Sequence, residues 1–323
     1  MNITRGLPLA PLASFPVLTI GNFDGQHLGH RALVQAVVEN AQRMQGVPMV
    51  LSFDPHPIEV LRPGTRPKFL SDPQEKIDFF ERLGIEELIL LPFTPALAAL
   101  HPGQFVQQVL HEGLGIRQVL VGENFVFGKG RSGTIQDLIR LGEQSNFVVQ
   151  PMSPVLWGDE VVSSTRIRKC VTAGNVREGR ECLGRPYRLA GMVIEGEKRG
   201  SQMGWPTANL RIPLHRVIPA DGIYATLTEV DDECFPSVAY IGNRPTFQEG
   251  ERLLEVHIFD QRFQLYGKNI SVSFIEQVRE DMTFSNVDDL VKQMDQDGVQ
   301  TRELVANYQN SRPNLSLANK GNG

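Results

Sequence analysis

Val17-Leu18-Thr19-Ile20-Gly21-Asn22-Phe23-Asp24-Gly25-Gln26-His27-Leu28-Gly29-His30-Arg31 joins a short apolar run to a glycine turn and a pair of histidines. The run over 15–20 has the length and β-branched content of a strand, and Gly21 and Gly25 punctuate a turn. Residues 28–44 then read as a helix carrying Leu33, Val34, Val37, Val38 and Ala41. Both histidines therefore stand at a helix start, where unpaired N–H groups and a partial positive charge suit a phosphate. Spaced three apart, His27 and His30 share one face of the first turn, and Gly29 keeps that face open. A lone histidine here would ordinarily cap the helix or pack against it; two in one turn can point at the same cluster of oxygens. Zinc needs three or four ligands, and His56 is the one further candidate nearby.

The pattern Gly-x-Phe-Asp-Gly-x-His-x-Gly-His over 21–30 resembles the His-x-Gly-His signature of the nucleotidyltransferase superfamily, and its prefix narrows the likeness to prokaryotic FAD synthetases. That resemblance implies ATP and phosphate binding by Gly21, Phe23, Asp24, Gly25 and Gly29, with His27 and His30 as the catalytic pair.

The chain has 323 residues, of which 41% are apolar, enough for two domains each with a core. Acidic residues outnumber basic ones 37 to 32, for a net charge of -5, and no Lys/Arg run builds a nucleic-acid stripe. Cys170, Cys182 and Cys234 form no Cys-x-x-Cys pair and fit a reducing compartment. Neither a signal-peptide core nor a membrane-spanning apolar run occurs, so a cytoplasmic protein without membrane or nucleic-acid partners is expected.

Downstream, strands are expected over 47–53, 87–91 and 118–121, alternating with helices over 72–83 and 103–112, which argues for a parallel sheet covered on both faces. Ligands of such sheets bind beyond the carboxyl ends of the strands. The segments Phe53-Asp54-Pro55-His56-Pro57 and Gly122-Glu123-Asn124-Phe125-Val126-Phe127-Gly128 fall there. Taken alone, each is equally a core-and-turn segment. Both resemble FAD synthetase motifs, with Asn124 in place of the commoner aspartate, and so imply a flavin site from Phe53, Asp54, His56, Asn124 and Phe125. Lys129 to Gly133 reads as a mobile lid or a solvated turn. Ser163-Ser164-Thr165-Arg166-Ile167-Arg168 reads as a helix start rich in hydroxyl and guanidinium donors. It resembles the family's Ser-Ser-Thr-x-Ile-Arg, which implies pyrophosphate contacts from Ser164, Thr165 and Arg168; Arg166 occupies the variable position.

Past Leu183-Gly184-Arg185-Pro186-Tyr187 the composition turns to short apolar runs broken by Gly, Pro and Asp, which sets a boundary at 185/186. Runs over 187–195, 222–230, 237–241, 253–259 and 270–278 predict a small antiparallel barrel. Val287, Leu290, Val291 and Met294 predict a closing helix interrupted at Gly298, and 311–323 reads as a disordered polar tail. The loop from Gly196 through Gly200 to Gly204-Trp205-Pro206-Thr207-Ala208-Asn209 is turn-forming, yet it also offers amides to phosphates and hard oxygens to Mg²⁺. Pro-Thr-Ala-Asn after Gly-x resembles riboflavin kinases, with Trp205 where a smaller apolar residue or phenylalanine is usual, a change expected to affect packing. Ile241-Gly242-Asn243-Arg244-Pro245-Thr246-Phe247, Leu254 to Asp260 and Leu265-Tyr266-Gly267 extend the likeness. On a strand, Glu255 and His257 share one face, with Leu254, Val256 and Ile258 on the other.

The resemblance runs over 15–308 with its motifs in family order. It implies a Rossmann-like nucleotidyltransferase domain over 1–185 that makes FAD from FMN and ATP, and a riboflavin kinase barrel over 186–310. Gly196 and Gly200 would meet ATP phosphates, Thr207 and Asn209 would hold Mg²⁺, and Glu255 would be the base. Expected partners are riboflavin, FMN, FAD and ATP, with the chain a monomer or weak homo-oligomer. An adenylyltransferase with a merely flavin-binding barrel, and a non-catalytic flavin or nucleotide sensor, are the alternatives.

Overall fold

A near-continuous apolar run buries a strand on both faces, and three runs in the first half do this, each with one buried polar residue, Thr19, Ser52 or Glu87. In the computed structural model they belong to one six-stranded sheet: β1 (Asn2–Arg5), β2 (Pro16–Ile20), β3 (Val47–Phe53), β4 (Glu87–Leu91), β5 (Gln118–Gly122) and β6 (Val148–Met152), in the order β1-β4-β3-β2-β5-β6. Every pairing is parallel, and a separate two-stranded antiparallel ribbon, β7 (Leu156–Trp157) and β8 (Glu160–Val161), follows β6. The structure describes residues 1–8, 15–65, 67–196, 200, 203–243, 252–261 and 263–311. They form two compact units, Met1–Ser164 and Thr165–Gly323.

Period-two alternation sends neighbouring side chains into two cores. Val17 and Val50 meet Val34 and Val37 of helix α1 (Leu28–Arg43) with Phe79 and Phe80, whereas Leu18, Met49 and Val119 meet Val109, Leu110 and Leu138 on the other face. Further helices are α2 (Pro57–Leu61), α3 (Pro73–Arg82), α4 (Pro95–Ala98), α5 (Pro102–Phe105) and α6 (Ile135–Gln144). The helix expected over 103–112 is in fact α5 running into a π-helical stretch, Val106–Gly113. From β2 the chain builds outward through β3 and β4, then returns to place β5 on the other side of β2. The order reverses there, so the crevice beyond β2 and β5 is the switch point where such sheets take ligands.

The second unit begins one residue into α7 (Ser164–Thr172) and continues with α8 (Val176–Leu183), so the compact units divide upstream of the composition change near 185. Glu178 takes two hydrogen bonds from Arg166, through Nε at 2.9 Å and Nη2 at 2.7 Å, giving the variable motif position a structural task between the two helices. Arg180 Nη1 donates to Ile275 O at 3.2 Å, fastening α8 to the barrel. The barrel is closed and antiparallel: β9 (Tyr187–Ile194), β10 (Ala208–Arg211), β11 (Gly222–Val230), β12 (Glu233–Asn243), β13 (Arg252–Ile258) and β14 (Asn269–Glu280), in the order β10-β13-β12-β11-β14-β9. Helix α9 (Val287–Ser311) lays Val305 and Tyr308 on Ala225 and Ile275.

Gly298 does not interrupt α9, contrary to the expectation from sequence; the helix runs straight through it. Its missing side chain leaves room for Trp205 instead. The tail beyond Ser311 and the motif residues 244–247 lie outside the described residues, as do 197–199, 201 and 202 of the glycine loop.

Candidate active sites

Behind β2 the chain turns with positive φ at Phe23 (52°), Gly25 (86°) and Gln26 (44°). Two non-glycine residues in the left-handed region need outside support. Gln26 Nε2 supplies part of it by donating to Phe23 O at 2.9 Å and to Ser71 Oγ at 2.6 Å. Asp24 supplies more: its buried carboxylate accepts from the Leu70 amide at 3.0 and 3.1 Å and from the Ser71 amide and hydroxyl, each at 3.2 Å. Asp24 and Gly25, whose N–H donates to Ser71 Oγ at 3.0 Å, therefore clamp the turn to the 70–71 segment and do not line the cavity. The Asp24 carboxylate, expected from the resemblance to meet phosphate, is here taken up by amide and hydroxyl donors of 70–71. Asp24→Ala strands those buried donors and lowers the stability of the first unit by about 3 kcal/mol. Chemical denaturation measures it, and a loss under about 1 kcal/mol would reject the clamp.

The clamp delivers His27 to the N-cap of α1, where its Nδ1 accepts from the His30 amide at 3.3 Å. That bond places the neutral ring's proton on Nε2. The two imidazoles stack at 3.6 Å between centroids and 18° between planes, and Phe23 meets His30 edge-on at 5.1 Å. A Cβ at residue 29 would stand 3.2 Å from the His27 ring, so Gly29 admits the stack. His30 Nδ1 is buried without a hydrogen-bond partner among the described residues.

Burial pushes the His27 pKa down to about 4, and burial followed by the neighbouring His27 and Lys76 pushes His30 well below the ordinary imidazole range. Both are neutral donors at pH 7. The unfolded chain binds the proton more tightly, so stability from His27 is fully present above pH 6.5 and declines as pH falls toward 4. At pH 5 the first unit should be about 2 kcal/mol less stable than at pH 7.5 from this residue, and His27→Gln should remove that part of the slope. Parallel pH–stability curves for the two proteins would refute it.

The histidines line a cavity of about 270 Å³ with Gly21, Phe23, Gly29, Asn124 and Phe125. A second cavity of about 740 Å³ has Phe53, His56, Phe93, Leu97, Asn124, Phe125 and Arg131 in its wall. Ile20, Gly21, Asn124 and Phe125 belong to both, so the two cavities adjoin at the switch point. Of the expected flavin residues, Asp54 stands apart, in an exposed ion pair with Arg5 at 2.9 Å. His56 caps α2, its Nδ1 accepting from the Ile58 amide at 3.2 Å. Ser164 Oγ, at the last residue of the first unit, donates to Asp24 O at 2.8 Å. Thr165 is exposed and Arg168 half-buried on the first turns of α7.

In the barrel, β10 and β13 pair Asn209 with Glu255. Thr207 Oγ1 donates to Glu255 Oε2 at 3.2 Å. The Asn209 amide lies against Gly196, where a Cβ would collide with its Nδ2, and its Oδ1 is buried without a partner among the described residues. Gly200 is equally crowded, by the Trp205 carbonyl. Thr207 and Glu255 open into a cavity of about 380 Å³ whose other walls include Trp205, Tyr240, His257, Arg279, Leu290, Met294 and Asp297. Sequence reading took Leu290 and Met294 only as a helix face and missed Tyr240, Arg279 and Asp297. No local motif marks them. Arg279 donates to Asp297 from Nε at 3.0 Å and from Nη2 at 2.8 Å, a charge pair formed only when α9 folds back on β14.

Among the described residues no helix is long and apolar enough to cross a membrane, and no three His, Cys, Asp or Glu side chains gather as a metal group. Family models described as FAD synthetase and as riboflavin kinase match residues 12–166 and 183–305. A bifunctional riboflavin kinase/FMN adenylyltransferase of Pseudomonas fluorescens is 35% identical over 95% of this chain and 98% of its own length. The protein of that description from Escherichia coli K12 is 34% identical over 89% and 92%. A solved Streptococcus pneumoniae chain titled macrolide-efflux protein superposes with a TM-score of 0.85 at 30% identity, covering 93% of this chain and 98% of that one.

Proposed function

The chain belongs to the family of bifunctional riboflavin kinases/FMN adenylyltransferases, with an FAD synthetase domain and a riboflavin kinase domain, and we propose that it converts riboflavin to FMN and FMN to FAD. The observation that supports this reading is that each compact unit has its own cavity, with His27 and His30 in the wall of one and Thr207 and Glu255 in the wall of the other.

In the second unit a ribityl hydroxyl of riboflavin is a poor nucleophile at neutral pH and needs a base. Glu255 takes that proton as the hydroxyl oxygen attacks the γ-phosphorus of ATP and ADP leaves. Thr207, bonded to the same carboxylate, keeps it oriented. The donor set fits Mg²⁺: a hydroxyl oxygen and a buried, unpartnered amide oxygen are hard ligands of the kind that ion takes. Thr207 and Asn209 would hold it, and once bound it neutralises phosphate charge. Gly196 and Gly200 let the loop backbone come close to the phosphates.

In the first unit the nucleophile, the phosphate of FMN, is already ionised. It attacks the α-phosphorus of ATP and expels pyrophosphate, so the site needs positioning and charge stabilisation rather than a base. His27 Nε2–H, His30 and the α1 terminus serve the ATP phosphates, with Gly21, Phe23 and Gly29 shaping their seat. Ser164, Thr165 and Arg168 contribute hydroxyl and guanidinium donors for pyrophosphate. Phe53, His56, Asn124 and Phe125 border the room for the flavin. We assign adenylyl transfer to residues 1–185 and the kinase to 186–310. Three free cysteines suit a reducing, cytoplasmic setting.

Incubation with ATP, Mg²⁺ and riboflavin, followed by chromatography, should show FMN rising and then yielding to FAD. FAD from supplied FMN but none from riboflavin would reduce the barrel to a binding module. No product from either would overturn the reading.

A further inference from the structure

Alanine is preferred to glycine inside a helix, so a buried glycine in the middle of α9 needs a reason. A Cβ at residue 298 would stand 2.6 Å from Trp205 Cη2, too close for any real contact. The indole fills the notch left by that hydrogen, and its Nε1 donates to Asp295 Oδ1 at 3.2 Å on the same helix. On its other side the ring lies 4.7 Å from the His257 ring and 6.3 Å from Phe259. The segment around it is tied as well: Trp205 N donates to Gly200 O at 2.8 Å, and His257 Nδ1 donates to Pro206 O at 2.8 Å. Two residues beyond Trp205 is Thr207, bonded to Glu255, and both lie in the wall of the cavity that Trp205 also lines.

We propose that Trp205, seated in the Gly298 notch of α9, is a positioning residue for phosphoryl transfer that holds Thr207 against Glu255. The proposal rests on the reading of Thr207 and Glu255 as kinase residues. The indole acts as a strut between α9 and the loop. If it leaves the notch, Pro206 and Thr207 shift with it, and small displacements of reacting groups are costly in rate. A phenyl ring lacks the distal indole atoms that reach residue 298, so a methyl group there is incompatible with Trp205 and compatible with its Trp205→Phe replacement.

The test is a reciprocal swap. Gly298→Ala should lower kcat for FMN formation by about 10-fold, with most of the loss in kcat rather than in KM for riboflavin. Trp205→Phe combined with Gly298→Ala should recover to within about threefold of Trp205→Phe alone, the mark of two residues that couple through contact. FAD formation from supplied FMN should stay at the wild-type rate in each. The chain has two tryptophans, so Trp157→Phe leaves Trp205 as the sole tryptophan, and Gly298→Ala in that background should red-shift its fluorescence on selective tryptophan excitation. An unchanged kcat and emission in Gly298→Ala, or no recovery in the double variant, overturns the proposal. Should Gly298→Ala not fold, Asp295→Ala at its exposed position carries the test: kcat should drop by about threefold through loss of the indole hydrogen bond, and an unaltered kcat overturns it. Glu255→Gln separates the two levels. Normal FMN formation in Glu255→Gln would fell the reading of the site itself, whereas an inactive Glu255→Gln beside a fully active Gly298→Ala would fell only the positioning role.

Discussion

Glu255→Ala should lower FMN formation by about 10²- to 10⁴-fold, the worth of a general base, while FAD synthesis from supplied FMN continues at the wild-type rate. The carboxylate stands on β13, opposite Asn209 of β10, and takes the Thr207 hydroxyl at 3.2 Å. Strand pairing fixes its backbone, and the alternation along β13 buries Leu254, Val256 and Ile258 on the core face while Glu255 and His257 face the cavity. The side chain thus reaches the cavity without a rearrangement. Glu255→Gln preserves its size and its hydrogen bond to Thr207 but cannot take a proton, so its rate should match that of Glu255→Ala. A glutamine variant that keeps most of the activity would assign Glu255 to binding instead. Because the core face of β13 is untouched in both, riboflavin affinity should change far less than kcat. Single-turnover FMN formation at saturating ATP measures the chemical step directly.

What the sequence discloses about this molecule follows contact range. β2, β3 and β4 were legible because strands buried on both faces are near-continuous apolar runs, and the histidine motif was legible because a strand end, a turn and a helix start are neighbours in the chain. β1 was not: Asn2-Ile3-Thr4-Arg5 has no apolar run and becomes a strand only by pairing with β4. β6 carries Pro151 and stands at the sheet's edge, where proline is tolerated. The histidines are legible as a helix start because His27 caps α1, whereas the hydrogen bonds of Asp24 are not legible locally because its partners lie 46 and 47 positions away, at Leu70 and Ser71. The barrel cavity was half legible. Thr207, Asn209 and Glu255 sit in recognisable segments, but the wall that α9 contributes exists only once the helix folds back, and Gly298 reads as a break until the indole beside it is seen.

His30→Ala should be the mirror of the Glu255 variant: FAD formation from FMN falls by about 10²- to 10³-fold, the usual cost of removing one donor from a preorganised anion site, and FMN formation is unaffected. The imidazole is buried, neutral and stacked on His27 at 3.6 Å, with an Nδ1 that has no partner among the described residues. A buried polar atom without a partner is unfavourable in the free protein, and an incoming phosphate oxygen relieves that when Nδ1 carries the ring proton. Removing the ring also takes away the stack on His27, leaving that donor held by the residue-30 amide alone, so the effect exceeds one hydrogen bond. The loss should fall mainly on kcat, because charge accumulates on the α-phosphoryl oxygens as the transition state forms and not when ATP first binds. Riboflavin phosphorylation by the same preparation reports enzyme concentration and folding of the second unit. An alanine variant that adenylylates FMN at the wild-type rate would take His30 out of the mechanism and leave its stacking against His27 and Phe23 as packing alone.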